Sequence, residues 1–307
     1  MFAPLATSKA ALGLRDDVAL LRARAADDLV LTTDTIVSGI DFFANDPAEK
    51  VAKKALRINL SDLAAKGASP IGYLLTLILP KRIDVRWLRA FAKGLRADQR
   101  KYGVALLGGD MSSTGGPLSV SITALGSLPK GTAILRSGAK PGDLVFVTGT
   151  IGDSGGGLAA LKTKKREAML VERYRVPEPR VAFGLELRGI VSAAIDVSDG
   201  LLADLGHLAD VSNMHIDIEA ARIPMSTALR SLWGTSEVAL VRAATAGDDY
   251  EIAFTASPKK RPRVLAAAKL SRTRVTEIGV VKRGQGIRLI GSDGRPLRLK
   301  NQGWQHF

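Results

Sequence analysis

Apolar and polar positions along the chain fall into alternating strand-like and helix-like stretches. Residues 28–37 are β-branched and apolar and lead into Thr32-Thr33-Asp34-Thr35, which predicts a strand with Asp34 on it or just beyond it. Asp46-Pro47-Ala48-Glu49 supplies a cap, a proline at the first helical position and an early negative charge. These open a helix to about Lys66, closed by Gly67. On it Asn59 and Asp62 share a face, while Ala55, Leu56, Ile58, Leu60 and Leu63 make most of the remaining surface apolar. A carboxylate in that setting needs a partner or an ion.

The pattern continues with a strand over 71–79, a helix over 84–101, a strand over 104–107 feeding Gly108-Gly109-Asp110, and a strand over 118–125. Residues 130–143 contain Gly131, Gly138, Pro141 and Gly142 and few apolar positions, so the domain junction is expected there, giving domains 1–135 and 136–307. Beyond it come a strand at 144–148, a glycine-rich turn at 149–157, helices near 154–162 and 179–189, an apolar stretch at 193–196 and a helix over 199–210. Strands at 250–255 and 274–281 flank a helix around 262–270, and 287–299 suggests a terminal hairpin. The alternation predicts an α/β (α+β) chain of two domains.

Candidate chemistry lies in aspartates. Asp16, Asp34, Asp62 and Asp110 each end or follow an apolar run on separate segments, and Asp196-Val197-Ser198-Asp199-Gly200 and Gly247-Asp248-Asp249-Tyr250-Glu251 add a second set. Converging carboxylates repel unless cations sit between them, and hard oxygen ligands favour Mg²⁺ over zinc. The natural guest of such a site is a polyphosphate.

Composition narrows the classes. The 307 residues are 46% hydrophobic, ample for a core. No cysteine is present, which excludes disulfides, thiolate zinc, iron–sulfur clusters and a cysteine nucleophile. No apolar run reaches the ~18 residues of a membrane span and the start lacks a signal-peptide pattern, so a cytoplasmic protein is expected, with no membrane partner. The net charge of +14 would suit nucleic acid, yet the basic residues are scattered, and the clusters at 162–166 and 259–263 have no interleaved aromatics. Nucleic acid is therefore not the expected partner.

Gly152-Asp153-Ser154-Gly155-Gly156 imitates the serine turn of trypsin-like proteases, but His207, His215 and His306 all follow it, the wrong order for that machinery. A phosphate-facing or tightly packed turn is the better reading. No P-loop, dinucleotide fingerprint or protein-kinase motif occurs.

Taken together the motifs resemble one family, the thiamine-monophosphate kinases of the aminoimidazole-ribonucleotide-synthetase-like superfamily. The resemblance runs in order through Asp16-Asp17, Thr32-Thr33-Asp34-Thr35, Asn59-Leu60-Ser61-Asp62, Gly108-Gly109-Asp110, Arg136-Ser137-Gly138-Ala139-Lys140-Pro141-Gly142-Asp143, Thr148-Gly149-Thr150-Ile151-Gly152-Asp153-Ser154, Asp196-Val197-Ser198-Asp199-Gly200 and Gly247-Asp248-Asp249-Tyr250-Glu251. It implies a strand-rich, dimerising N-terminal domain, an α/β C-terminal domain, and transfer of the ATP γ-phosphoryl group to thiamine monophosphate. By the same resemblance Asp16, Thr32, Thr33, Asp34, Asp62, Asp110, Asp196 and Asp199 match Mg²⁺-binding positions. Gly109, Arg136 and Ser198 match nucleotide-contacting positions, and Asp41, Asp248 and Trp304 match substrate-contacting ones, with no covalent or acid–base residue implied. Another ATP-dependent member of the superfamily, of the aminoimidazole ribonucleotide or selenophosphate synthetase type, is the alternative; the absence of cysteine counts against the latter.

Overall fold

A computed structural model describes residues 1–14, 18–22, 24–165, 167–299 and 303. It separates into two compact units, residues 1–63 with 68–131, and residues 64–67 with 132–307.

The first unit runs β1 (Asp27–Val37), α1 (Ala48–Ala65), β2 (Ser69–Pro80), α2 (Val85–Tyr102), β3 (Ala105–Thr114) and β4 (Ser119–Pro129), the last two residues of α1 counting with the second unit. Its sheet has the order β1-β4-β2-β3, with β4 antiparallel to both neighbours and β3 parallel to β2. Alternation sorts the side chains as a half-buried sheet requires. On β2, Tyr73, Leu75, Leu77 and Leu79 are buried while Leu74 and Ile78 are exposed. The buried apolar residues of α1 and α2, among them Leu56, Leu60, Phe91 and Leu95, complete the core on one side.

Local signals explain the helices. Asp84 caps α2 by accepting the Arg86 N–H, and Gly103 closes it in a left-handed conformation at φ 68°. The two helices approach so closely that a Cβ on Gly94 would collide with the Glu49 carbonyl oxygen. Buried Arg57 donates to both carboxylate oxygens of Asp98, at 2.7 and 2.8 Å, and ties α1 to α2.

β3 corrects one expectation. The sequence pattern predicts a strand ending near Leu107, but pairing with β2 carries it through Gly108-Gly109-Asp110 to Thr114, with a register shift at Tyr73/Leu74. At Gly109 a Cβ would collide with the Leu75 carbonyl oxygen, so glycine here permits close strand approach.

The second unit begins with β5 (Leu144–Thr148), α3 (Asp153–Lys162), α4 (Ala168–Arg175), α5 (Val181–Glu186), β6 (Ala193–Asp196) and α6 (Leu201–Ser212). It continues with β7 (His215–Glu219), α7 (Thr227–Trp233), α8 (Glu237–Ala244), β8 (Ile252–Ala256), α9 (Arg261–Leu270), β9 (Val275–Lys282) and β10 (Gly286–Ile290). Its six strands are ordered β10-β7-β9-β5-β8-β6, antiparallel except for the β10–β7 pair.

Both sheet faces are buried. Val145 and Val147 join Leu201, Leu205 and Leu208 of α6 in one cluster, while Phe146, Phe254 and Phe183 form another with Val264 of α9. The expected terminal hairpin is not formed as such: β10 pairs in parallel with β7, leaving only an isolated antiparallel bridge between Ile290 and Pro296. Among the described residues no helix is long and apolar enough to cross a membrane.

Candidate functional site

In the first unit, β1 presents Thr32 and Asp34 on the same face as buried Ile36, and the Thr32 hydroxyl donates to Asp62 Oδ2 at 2.5 Å. Asp62 thus leaves the apolar surface of α1 toward the strand, where its charge reaches Asp34. Burial first, and then the Asp62 charge, raise Asp34 from 3.8 to about 7. Below about pH 7 Asp34 therefore keeps its proton beside Asp62 unless a cation offsets the charge.

Thr33 points to the other face of β1. Its hydroxyl donates to the Ile122 carbonyl at 3.2 Å and accepts from the Thr123 hydroxyl, so only its backbone lies beside Thr32 and Asp34. Asp41 follows β1 in a turn: its Oδ2 accepts the Val37 N–H at 2.8 Å, and buried Lys54 donates to its carbonyl at 2.8 Å. Asp110 is exposed on β3, opposite Thr76, and its Oδ1 accepts the Met111 N–H. Beside it a cavity of about 850 Å³ is lined by Leu74, Leu106, Gly109 and Asp110, with Phe2 and Val18 from the N-terminal segment. Asp16 and Trp304 lie outside the described residues.

In the second unit Asp196 ends β6, 5% exposed. The turn after it brings Ser198 and Asp199 beside Asp248, whose N–H donates to the Ser198 carbonyl at 2.7 Å. Arg136 is exposed, next to Leu135, whose carbonyl accepts the Ala194 N–H of β6. Sequence reasoning missed what shapes this turn. Asp204 Oδ2 accepts three consecutive N–H groups, of Ser198, Asp199 and Gly200, at 3.0, 3.1 and 3.2 Å. With those donors occupied from inside, and the Val197 and Ser198 carbonyls taken by the Tyr250 and Asp248 N–H groups, the turn presents side-chain oxygens, which suit cations. Burial and then Asp199 raise Asp204 to about 7. The available signal was the spacing of Asp204, in the first turn of a helix and five residues after Asp199.

The glycine-rich turn is likewise filled from within. Asp249, 1% exposed, accepts the Gly152 N–H at 2.6 Å and the Ser154 N–H at 3.2 Å at the start of α3. Burial pushes its carboxyl well above the ordinary range. Ser154 Oγ is buried without a hydrogen-bond partner, and His215 is engaged with Gln285 and Asp217, so neither forms a nucleophile–base pair with the other. The turn serves packing: a Cβ on Gly157 would collide with the Leu170 carbonyl oxygen.

Among the described residues, no group of three Asp, Glu or His side chains is placed to hold a metal ion. The Asp34–Asp62 pair with the Thr32 oxygen still fits Mg²⁺, which typically takes one or two carboxylates, keeps several waters and binds substrate phosphates.

The titrations give a testable sign. Asp34 and Asp204 hold protons more tightly folded than at the ordinary carboxyl value, so the folded state carries more protons between about pH 4 and 7 and stability falls as pH rises through that window. Metal-free protein is expected to melt at a lower temperature at pH 7.5 than at pH 5, with Asp34→Asn reducing the difference. Melting in EDTA across that range checks this; a rise in melting temperature with pH would contradict it.

Two family models match, "AIR synthase related protein, N-terminal domain" over residues 15–128 and "AIR synthase related protein, C-terminal domain" over 140–292. The chain is 42% identical over 304 residues to thiamine-monophosphate kinase of Caulobacter vibrioides, covering 96% of this chain and 85% of that protein. Thiamine-monophosphate kinase from Stenotrophomonas maltophilia superposes with a TM-score of 0.87 at 40% identity, covering 96% of this chain and 94% of the other. AaThiL, in a structure complexed with AMPPCP and TMP, gives 0.82 at 31% identity, over 95% and 91%.

Proposed function

We propose that in this chain, which belongs to the thiamine-monophosphate kinases, the paired aspartates hold Mg²⁺ while the ATP γ-phosphoryl group passes directly to the phosphate of thiamine monophosphate, giving thiamine diphosphate and ADP. The observation that carries this reading is the Asp34–Asp62 pair, two acidic groups kept together where one is driven to about 7. The use of ATP and thiamine monophosphate is supported by the complex of AaThiL with AMPPCP and TMP.

In the first unit Thr32, Thr33, Asp34, Asp62 and Asp110, with Asp16, are the proposed Mg²⁺ residues, and Asp196 and Asp199 are those of the second. Bound Mg²⁺ would neutralise phosphate charge and stabilise the transferring group. Gly109, Arg136 and Ser198 meet the nucleotide. Asp41, Asp248 and Trp304 meet thiamine monophosphate. No side chain is needed as general base, because an acceptor phosphate oxygen is already ionised near neutral pH. The protein's contribution is orientation and charge.

The exposed Leu29, Leu31, Leu74 and Ile78 on one face of the first unit's sheet support a homodimer, since a second copy would cover that apolar face. The reading includes a cytoplasmic location and neither nucleic acid nor membrane as partner. Incubation with ATP, Mg²⁺ and thiamine monophosphate is expected to yield thiamine diphosphate and ADP in equal amounts by chromatography, with free thiamine inert. Release of AMP, or unchanged thiamine monophosphate, would overturn the assignment.

A further inference from the structure

Asp248 and Tyr250 have left-handed backbones, with φ of 68° and 52°. That conformation is unfavourable for residues bearing a Cβ and persists where the surroundings over-determine it. Here they do. The Asp248 N–H donates to the Ser198 carbonyl and the Tyr250 N–H to the Val197 carbonyl, each at 2.7 Å. Between them the Asp249 carboxylate receives the Gly152 and Ser154 N–H groups, and Arg173 donates to the Asp249 carbonyl at 3.2 Å. The Tyr250 hydroxyl then donates to Asp248 Oδ1 at 3.2 Å.

The consequence is a division of labour within three residues. Asp249 faces inward and closes the amino end of α3 with its own carboxyl oxygens, so those N–H groups are not offered to a phosphate. Asp248, partly exposed, is turned the other way, its backbone set by its neighbours and its carboxylate by Tyr250.

We propose that Asp249 is a positioning residue which, by anchoring the strained 248–250 segment on α3, aims the Asp248 carboxylate at the cationic thiazolium-bearing acceptor and so governs acceptor binding. The proposal rests on the reading above, in which Asp248 contacts thiamine monophosphate. The segment also meets the turn proposed for the nucleotide, but through the Val197 and Ser198 carbonyls, whose partners are backbone N–H groups that a side-chain substitution at 249 or 250 leaves in place.

Steady-state kinetics of purified wild type, Asp249→Asn and Tyr250→Phe test it. Asparagine keeps the size and accepts one N–H but turns its own NH₂ toward the other donor, so KM for thiamine monophosphate is expected to rise about 10-fold or more, with KM for ATP within about twofold. Tyr250→Phe leaves the α3 anchor intact and is expected to raise KM for thiamine monophosphate about 3-fold at an unchanged melting temperature. If Asp249→Asn lowers the melting temperature and the active fraction while both KM values stay as in wild type, Asp249 is merely structural and the proposal fails. Should that variant not fold, Tyr250→Phe decides: a raised KM for thiamine monophosphate supports the proposal and an unchanged one overturns it. A wild type that forms no thiamine diphosphate overturns the underlying reading, whereas an active wild type with indifferent variants overturns this inference alone.

Discussion

Asp62→Asn is expected to lower kcat/KM by about 100-fold or more while leaving the metal-free protein at least as stable as wild type. The substitution keeps the shape and an oxygen to accept the Thr32 hydroxyl, and removes the charge that helps hold Asp34 at about 7. Repulsion falls, so folding loses nothing, whereas a cation loses one of its two carboxylates. Thermal melts separate the two effects. Wild type should gain melting temperature from Mg²⁺–ATP by linkage and the variant much less. Equal ligand-induced gains, or a variant that unfolds without ligand, would make Asp62 a structural residue of α1.

Glu251→Ala is expected to cost the second unit roughly 3–5 kcal/mol, because it strands buried partners. Glu251 is fully buried and accepts from Arg180 through two nitrogens, from Arg173 Nη2 at 2.9 Å and from the Thr148 hydroxyl at 2.6 Å. Both arginine side chains are themselves largely covered, 16% and 22% exposed, so water replaces the lost acceptor poorly. The loss is large against the ~5–15 kcal/mol stability of ordinary domains. Chemical denaturation followed by circular dichroism checks it; a change under about 1 kcal/mol would contradict the account.

What could be read from sequence follows the range of the interactions. The β1 strand, α1 with its proline near the start, α2 with its Asp84 cap, and β5 announce themselves through local patterning and were expected close to their observed bounds. β3 was not, because its last residues, including Gly108 and Gly109, are held as strand by parallel pairing with β2, which no local pattern encodes. The short β7 and helices α4, α7 and α8 were missed for the same reason: their stability comes from packing partners far along the chain, as Leu170, Met225 and Leu229 show by forming a cluster of their own.

At the site, the spacing of acidic motifs marked segments but did not distinguish the side chains within them. Alternation along β1 separates the side chain of Thr33 from those of Thr32 and Asp34. In Gly247-Asp248-Asp249-Tyr250-Glu251 the sequence offers three acids alike, whereas the fold makes Asp249 an internal cap and Glu251 an arginine clamp, leaving Asp248 partly exposed. Such distinctions depend on backbone direction, here on two left-handed residues that carry no glycine signal.

The claim on which the account turns is that Asp34 and Asp62 form a cation site when nucleotide is bound. A crystal grown with Mn²⁺, a non-hydrolysable ATP analogue and thiamine monophosphate, measured for anomalous scattering, tests it most directly. The account predicts an anomalous peak within ligating distance of both carboxylates and of a nucleotide phosphate oxygen; nucleotide bound with no metal peak at Asp34 and Asp62 would contradict it.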